Sequence, residues 1–300
     1  MSSPTTASQT IESVIAAEVP RFMRRRYIAW IIAAIGVVII LVLLSLILDQ
    51  SEDNVEIAVV VFSFALIYGL MWVLSKWLRR SASRAFMPAI AQAAGFTYRP
   101  DYPNVGDLER LGLIPRAWVS RAEDYLEGQL ANRVLTCGDI LVRENDDRQF
   151  DEIFQGLVIT LSTGRSETTR LLARKGLTEG FLFSRGKVDI RDLGTVSFDD
   201  PSYELHTAAG DDPEQAVRWA AALTRLDREV PGASLYAVMR TEEMTIVMLS
   251  HSRDAFAIGG LLVSADDLHR QMDQAARELL MPLTVGQIIL DAEAVSAVMS

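Results

Sequence analysis

Cysteine is almost absent: Cys137 is the one thiol in 300 residues. No intrachain disulfide can form, and no Cys-pair zinc or cluster motif exists, which suits a reducing compartment. Cys137 itself falls in an apolar strand pattern, where a buried inert thiol is expected. Histidine is scarce too. His206, His251 and His269 fall on a predicted strand, a strand end and a helix, so no metal is expected. The chain lacks G-x-x-x-x-G-K-[ST], G-x-G-x-x-G after a strand, G-x-S-x-G and H-E-x-x-H. That removes the usual signatures of phosphate-loop, dinucleotide, α/β-hydrolase and zincin chemistry. "HSRD", His251–Asp254, lacks the surrounding kinase motifs and reads as a turn. No catalytic residue and no cofactor are expected on these grounds, although a Ser/His/Asp triad is recognised by geometry rather than by sequence.

Positive charge is short in the larger part of the chain. From Ala85 onward there are 21 Lys/Arg against 33 Asp/Glu. An acidic part of that size argues against nucleic acid as a partner, which needs a basic face.

What the chain has in abundance is uninterrupted apolar sequence near its start. Tyr27–Leu48 is 22 residues without a charge, about 33 Å as a helix against a hydrocarbon core of roughly 30 Å. Ile57–Leu74 is a second uncharged run of 18 residues, extended into the interface by Trp72, Lys76 and Trp77. Two transmembrane helices are predicted, because backbone polar groups find no partners in lipid unless helical. A cleaved signal peptide would have a shorter apolar part and a small-x-small site, which "SLILDQS" lacks. The acidic break Asp49–Glu56 carries no Lys or Arg, whereas Arg21, Arg24, Arg25, Arg26, Lys76, Arg79, Arg80 and Arg84 flank the outer ends. That bias sets the topology: the break outside, both termini cytoplasmic, in a bacterial inner membrane. Ile11, Val14, Ile15, Val19, Phe22 and Met23 recur at helical spacing ahead of the first run. They predict an amphipathic helix along the inner surface, with a disordered tail as the other reading. Small pairs Ala29/Ala33 and Ala65/Gly69 offer close approach between the two helices.

The predicted organisation is a tail over residues 1–26, spans at 27–48 and 57–78, a loop at 49–56, and a cytoplasmic α+β domain over 79–300. "SRAFMPAIAQAAGF" reads as a separate helix with Pro88 near its start. Strand patterns follow in "DYLEGQLA", "RVLTCGDILVRE", "FQGLVITLST", "TRLLAR", "KVDI", "TVSF" and "SYELHTA". Asp212, Pro213 and Gln215 mark a helix start. "ASLYAVMR" and "MTIVMLS" predict a hairpin around Thr241–Glu243. A capped helix from Ser264 with Asp267 comes next, and Pro282 precedes a last one. Strands followed by helices predict a mainly antiparallel sheet. The acidic doublets Asp199–Asp200, Asp211–Asp212 and Asp266–Asp267 stand where turns and caps already explain them.

"EDYLEGQL", "FQGLVITL" and "VSFDDPSYELHTAAGDDPEQAVRWAAALTRL", followed by a hairpin and a C-terminal helix, occur in an order that resembles a family of uncharacterised bacterial two-pass membrane proteins. This is a domain-of-unknown-function family, and the resemblance covers most of the chain. Members are often encoded near LemA-type membrane proteins, so the resemblance implies such a protein as a partner beside the lipid bilayer. It implies no activity and no catalytic residues.

One segment runs against the acidic background. Residues 165–191 carry Arg165, Arg170, Arg174, Lys175, Arg185, Lys187 and Arg191 against Glu167, Glu179 and Asp189. They are expected either to face the anionic inner leaflet or an acidic partner, or to be solvated strand faces. The functional expectation is a membrane-anchored binding, scaffold or sensor-like module. A membrane-proximal hydrolase or transferase acting on lipid-linked substrates is the alternative, and it predicts a pocket with convergent polar groups.

Overall fold

Helix α1 runs unbroken over Pro4–Leu48, and α2 over Asp53–Ala93. The computed structural model describes residues 4–48, 53–103, 105–110, 113, 119–143, 152–162, 170–174, 193–196, 203–208, 217, 221, 225–226, 230, 234–240, 243–250 and 255–298. Two stretches, Ala16–Leu46 and Val60–Ala93, are long and apolar enough to cross a membrane by length and composition. The chain divides into two compact units, Met1–Ala93 with Phe256–Ala275, and Ala94–Ala255 with Ala276–Ser300.

In the first unit, three expectations change. Residues 53–56 are helical rather than loop; acidic residues favour a helix N-terminus, where they meet the positive end of the macrodipole. The separate helix expected around Pro88 is the end of α2, because nothing between Leu74 and Ala85 breaks the helix. Leu78, Ala82, Phe86 and Ile90 form one buried i,i+4 stripe straight through that stretch. The small pairs do not match as expected either. Ala29 and Ala33 are buried where α1 packs on α2, but Ala65 is exposed and Gly69 has open space beside it. The close approach is made instead by Gly36, where a Cβ would overlap the Leu70 side chain.

Helix α4, Ala265–Glu278, begins with the expected cap. The Asp267 N–H donates to Ser264 Oγ at 3.1 Å, while the Ser264 hydroxyl and N–H donate to Asp267 Oδ2 at 2.6 and 3.2 Å. This is a reciprocal capping box with Asp in place of Glu. The Ser264 hydroxyl first, then the Arg270 guanidinium, hold the Asp267 carboxyl down to about 2. A depressed carboxyl stabilises the folded form fully above its ordinary value of 3.8 and loses that contribution as the pH falls toward about 2. Amide protection in the first turn of α4 is therefore expected to drop across that window. Asp267→Asn should show no such acid step.

The second unit is built on a nine-stranded sheet in the order β1-β2-β3-β4-β9-β8-β5-β7-β6. The strands are β1 Thr97–Asp101, β2 Val119–Leu130, β3 Arg133–Arg143, β4 Glu152–Ser162, β5 Arg170–Arg174, β6 Leu193–Val196, β7 Tyr203–Ala208, β8 Ser234–Arg240 and β9 Met244–Ser250. Every neighbouring pair is antiparallel, so the α+β expectation stands. Ala131 and Asn132 join β2 to β3 with φ of 50° and 63°. Two consecutive positive φ values make the tight hairpin whose twist suits the flanking strands. Short α3, Val105–Arg110, follows β1. The last helix, α5, spans Leu280–Val298 and packs on β2, β3 and β4. It starts before Pro282, which sits in the first turn where its missing N–H costs nothing. "KVDI", Asp199–Asp200, the helix start at Asp211–Gln215 and His251 lie outside the described residues.

Candidate functional site

Antiparallel pairing places directly opposed residues on the same face of a sheet. One register row runs Glu127, Thr136, Thr160, Ile246 across β2, β3, β4 and β9. Above this row lies a pocket of about 240 Å³ in the second unit. Tyr102, Tyr125 and Leu108 line one side, Val134 and Ser162 an end, and Glu243 and Met244 the side nearest the β8–β9 turn. Its floor joins an apolar cluster that includes Ile140, Val158, Phe154 and Met248. Gly138 makes room for the aromatic wall, since a Cβ there would overlap the Tyr102 ring.

The rings of Tyr102 and Tyr125 meet edge to face at 5.6 Å, a favoured geometry for aromatic quadrupoles. The Tyr125 hydroxyl donates to Glu127 Oε2 at 3.1 Å. Burial, with the Glu127 carboxylate second, pushes that phenol up to about 12, so it stays a donor at neutral pH. Thr136 and Thr160 share a hydroxyl hydrogen bond of 2.5 Å on the floor. Arg99 stands over the outer part of the Tyr125 ring, 6.0 Å from its centroid. Among the described residues the lining offers two carboxylates, several hydroxyls and two rings, with no Lys or Arg. These carboxylates, hydroxyls and rings suit a neutral polar or cationic group.

The sequence-nominated residues fall elsewhere. Arg25 Nη1 donates to Ser81 Oγ at 2.5 Å, and Arg26 Nε donates to the Leu261 carbonyl at 3.1 Å. Arg21 pairs with Glu18 on its own helix, Arg24 and Arg84 are exposed, and Arg79 and Arg80 lie on exposed positions of α2. Lys76 Nζ sits 5.0 Å from the Trp72 ring centroid. In the basic segment, Arg170 and Arg174 hold the two ends of β5, with Arg170 at the register position of Thr207 and Arg240. Lys175, Arg185 and Lys187 lie outside the described residues.

Cys137 is buried in β3, and burial followed by the Asp139 and Asp124 carboxylates raises its thiol well above the usual range. A thiol held protonated by burial is a poor nucleophile. His206 is buried on β7 and His269 exposed on α4, in different units. Among the described residues no His, Cys, Asp or Glu group could hold a metal. The pocket itself was invisible in the sequence, because its polar members come one or two at a time from separate strands.

No family model and no curated protein matches the chain. A solved structure that does match is the crystal structure of the mycobacterial trehalose monomycolate transport factor A, TtfA, at 14% identity and a TM-score of 0.37, covering 68% of this chain and 93% of that one. So loose a likeness carries neither a fold nor a function across.

Proposed function

We propose that the chain is a two-pass protein of the bacterial inner membrane, with both termini in the cytoplasm and its sheet unit acting as a membrane-anchored binding, scaffold or sensor-like module. One observation carries the reading. Twenty large apolar or aromatic side chains stand exposed on α1 and α2, against Val134, Leu262 and Leu280 elsewhere among the described residues. At roughly 1.5–3 kcal/mol for each such side chain left in water, that surface needs a cover, and lipid provides it. The arginine-rich ends of both helices support that orientation. The pocket supports binding: it is concave, mixed in polarity and partly aromatic. Anchoring raises the effective concentration of such a site for other membrane-bound proteins. By resemblance, a LemA-type protein is the first partner to look for.

The test joins topology to partnership. Green fluorescent protein fused after Ser300 should fluoresce, and alkaline phosphatase at the same point should be inactive. In the same cells, a photocrosslinker at exposed Val134, on the pocket wall, should recover one stoichiometric membrane protein. An active phosphatase fusion would overturn the topology, and the absence of any stoichiometric adduct would overturn the binding role.

A further inference from the structure

Residues 256–275 are far from the spans in sequence yet belong to the same unit as α1 and α2, and the way they return is specific. The stretch Ala255–Ala265, "AFAIGGLLVSA", carries no charge. Gly259 and Gly260 have φ of 85° and 146°, values that glycine alone adopts at no steric cost. A Cβ on Gly259 would lie 2.7 Å from Ala82 Cβ and 3.1 Å from the Phe22 ring. One residue later, a Cβ on Gly260 would lie 3.7 Å from Ser75 Oγ and 3.8 Å from Arg79 Nε. The Leu261 carbonyl then accepts from Arg26 Nε at 3.1 Å and from Trp30 Nε1 at 3.2 Å.

These contacts climb the helices. Phe22 to Trp30 is about 12 Å along α1, and Ala82 to Ser75 about 10 Å along α2, both toward the apolar spans. At the top the chain turns: the Val263 N–H reaches back to the Gly260 carbonyl at 3.4 Å. Leu261 points inward and is 2% exposed, whereas Leu262 is 76% exposed. The loop is also held from behind, because the Gly259 N–H donates to Gln271 Oε1 at 2.7 Å. Trp30, Tyr27, Trp72 and Trp77 are exposed at the same end of the helices, the set that marks a membrane–water interface. An exposed leucine at the apex of an uncharged, pinned turn beside a tryptophan is surrounded by the requirements of lipid, not of water.

We infer that Gly259–Val263 is a third membrane contact, an interfacial loop that sets Leu262 into the boundary between headgroups and acyl chains of the inner leaflet. It rests on the membrane-spanning reading and adds to it: the returning chain is tied to the bilayer at a point some 170 residues after α2 ends.

The full chain in phosphatidylethanolamine/phosphatidylglycerol vesicles tests this, with an environment-sensitive fluorophore on Leu262→Cys. The native Cys137 is fully buried, and the unsubstituted chain gives the labelling background. Ile39→Cys serves as the mid-span reference and Asp273→Cys as the aqueous one; all three positions are exposed on the protein surface, so folding is not at risk. Expected is an emission at Leu262→Cys shifted to the blue of Asp273→Cys. A nitroxide lipid labelled near the headgroup should quench it more than one labelled deep in the acyl chain, with the reverse order at Ile39→Cys. Emission at Leu262→Cys that matches Asp273→Cys and is quenched by aqueous iodide overturns the loop contact while the spans stand. Blue-shifted emission that no nitroxide lipid quenches places protein over Leu262 and overturns it too. If Ile39→Cys also reads as aqueous, the spanning helices fall and the loop contact with them.

Discussion

Glu293→Ala is expected to lower the stability of the sheet unit by about 3–5 kcal/mol, the usual cost of removing one partner from a buried ion pair. Glu293 lies on α5 and reaches two cations from different strands: Arg133 at the start of β3 and Arg240 at the end of β8, the latter at 3.4 Å. The carboxylate side chain is 12% exposed and the Arg240 side chain only 3%. Truncation therefore takes one counter-charge from a guanidinium that water reaches poorly, so part of the desolvation already incurred is no longer offset. The more exposed Arg133 contributes less, because solvent screens it. Glu293→Gln keeps shape and one acceptor, so its loss should be smaller. The paired change Glu293→Leu with Arg240→Met should recover much of the difference, since matched apolar replacements of buried ion pairs are often neutral. Urea unfolding in detergent, with amide exchange on β3 and β8, reads all three variants against the parent. A Glu293→Ala midpoint equal to the parent's would mean that the triad does not clamp α5.

That triad shows where sequence reading stops. A glutamate in a predicted C-terminal helix and two arginines at strand ends are ordinary ions in one dimension. Only the pairing of β4 with β9 brings Arg133 and Arg240 to the same side of the sheet. Local pattern did carry the elements. Both uncharged runs lie inside the long helices α1 and α2, because length and composition act within each run. The β8–β9 hairpin and the Ser264–Asp267 cap follow from alternation and capping chemistry, which act over a few residues. Strand order was not legible in that way: a period of two says that β5 is a strand, not that it inserts between β8 and β7. The return of Gly259–Leu261 to α1 was hidden for the same reason. Arg26 was legible as a flanking arginine, but the carbonyl that it shares with Trp30 lies more than 230 residues away. Backbone acceptors carry no sequence signature.

Gly156→Ala should produce the other large effect, beyond the roughly 1–3 kcal/mol typical of overpacking. Gly156 sits in β4 opposite Ser250 of β9. A Cβ at this position would overlap the Leu249 carbonyl oxygen and come within 2.9 Å of its carbon and 3.0 Å of Ser250 Cα. These are backbone atoms of a paired strand and cannot rotate aside as a side chain would. Relief must come from parting β4 from β9, and that pair is the seam between the β1–β4 meander and the strands β9, β8, β5, β7 and β6. Two other glycines calibrate the result. Gly286→Ala on α5 meets the end of the Leu130 side chain at 2.6 Å, which can shift, so its cost should be smaller. Gly106→Ala in α3 meets nothing within 4 Å and gains helix propensity, so it should be neutral or mildly stabilising. Unfolding midpoints should therefore fall in the order Gly106→Ala, Gly286→Ala, Gly156→Ala. A Gly156→Ala chain with parental stability and intact exchange protection across β4 and β9 would remove the close approach at the seam, and with it the strand order that depends on that pairing.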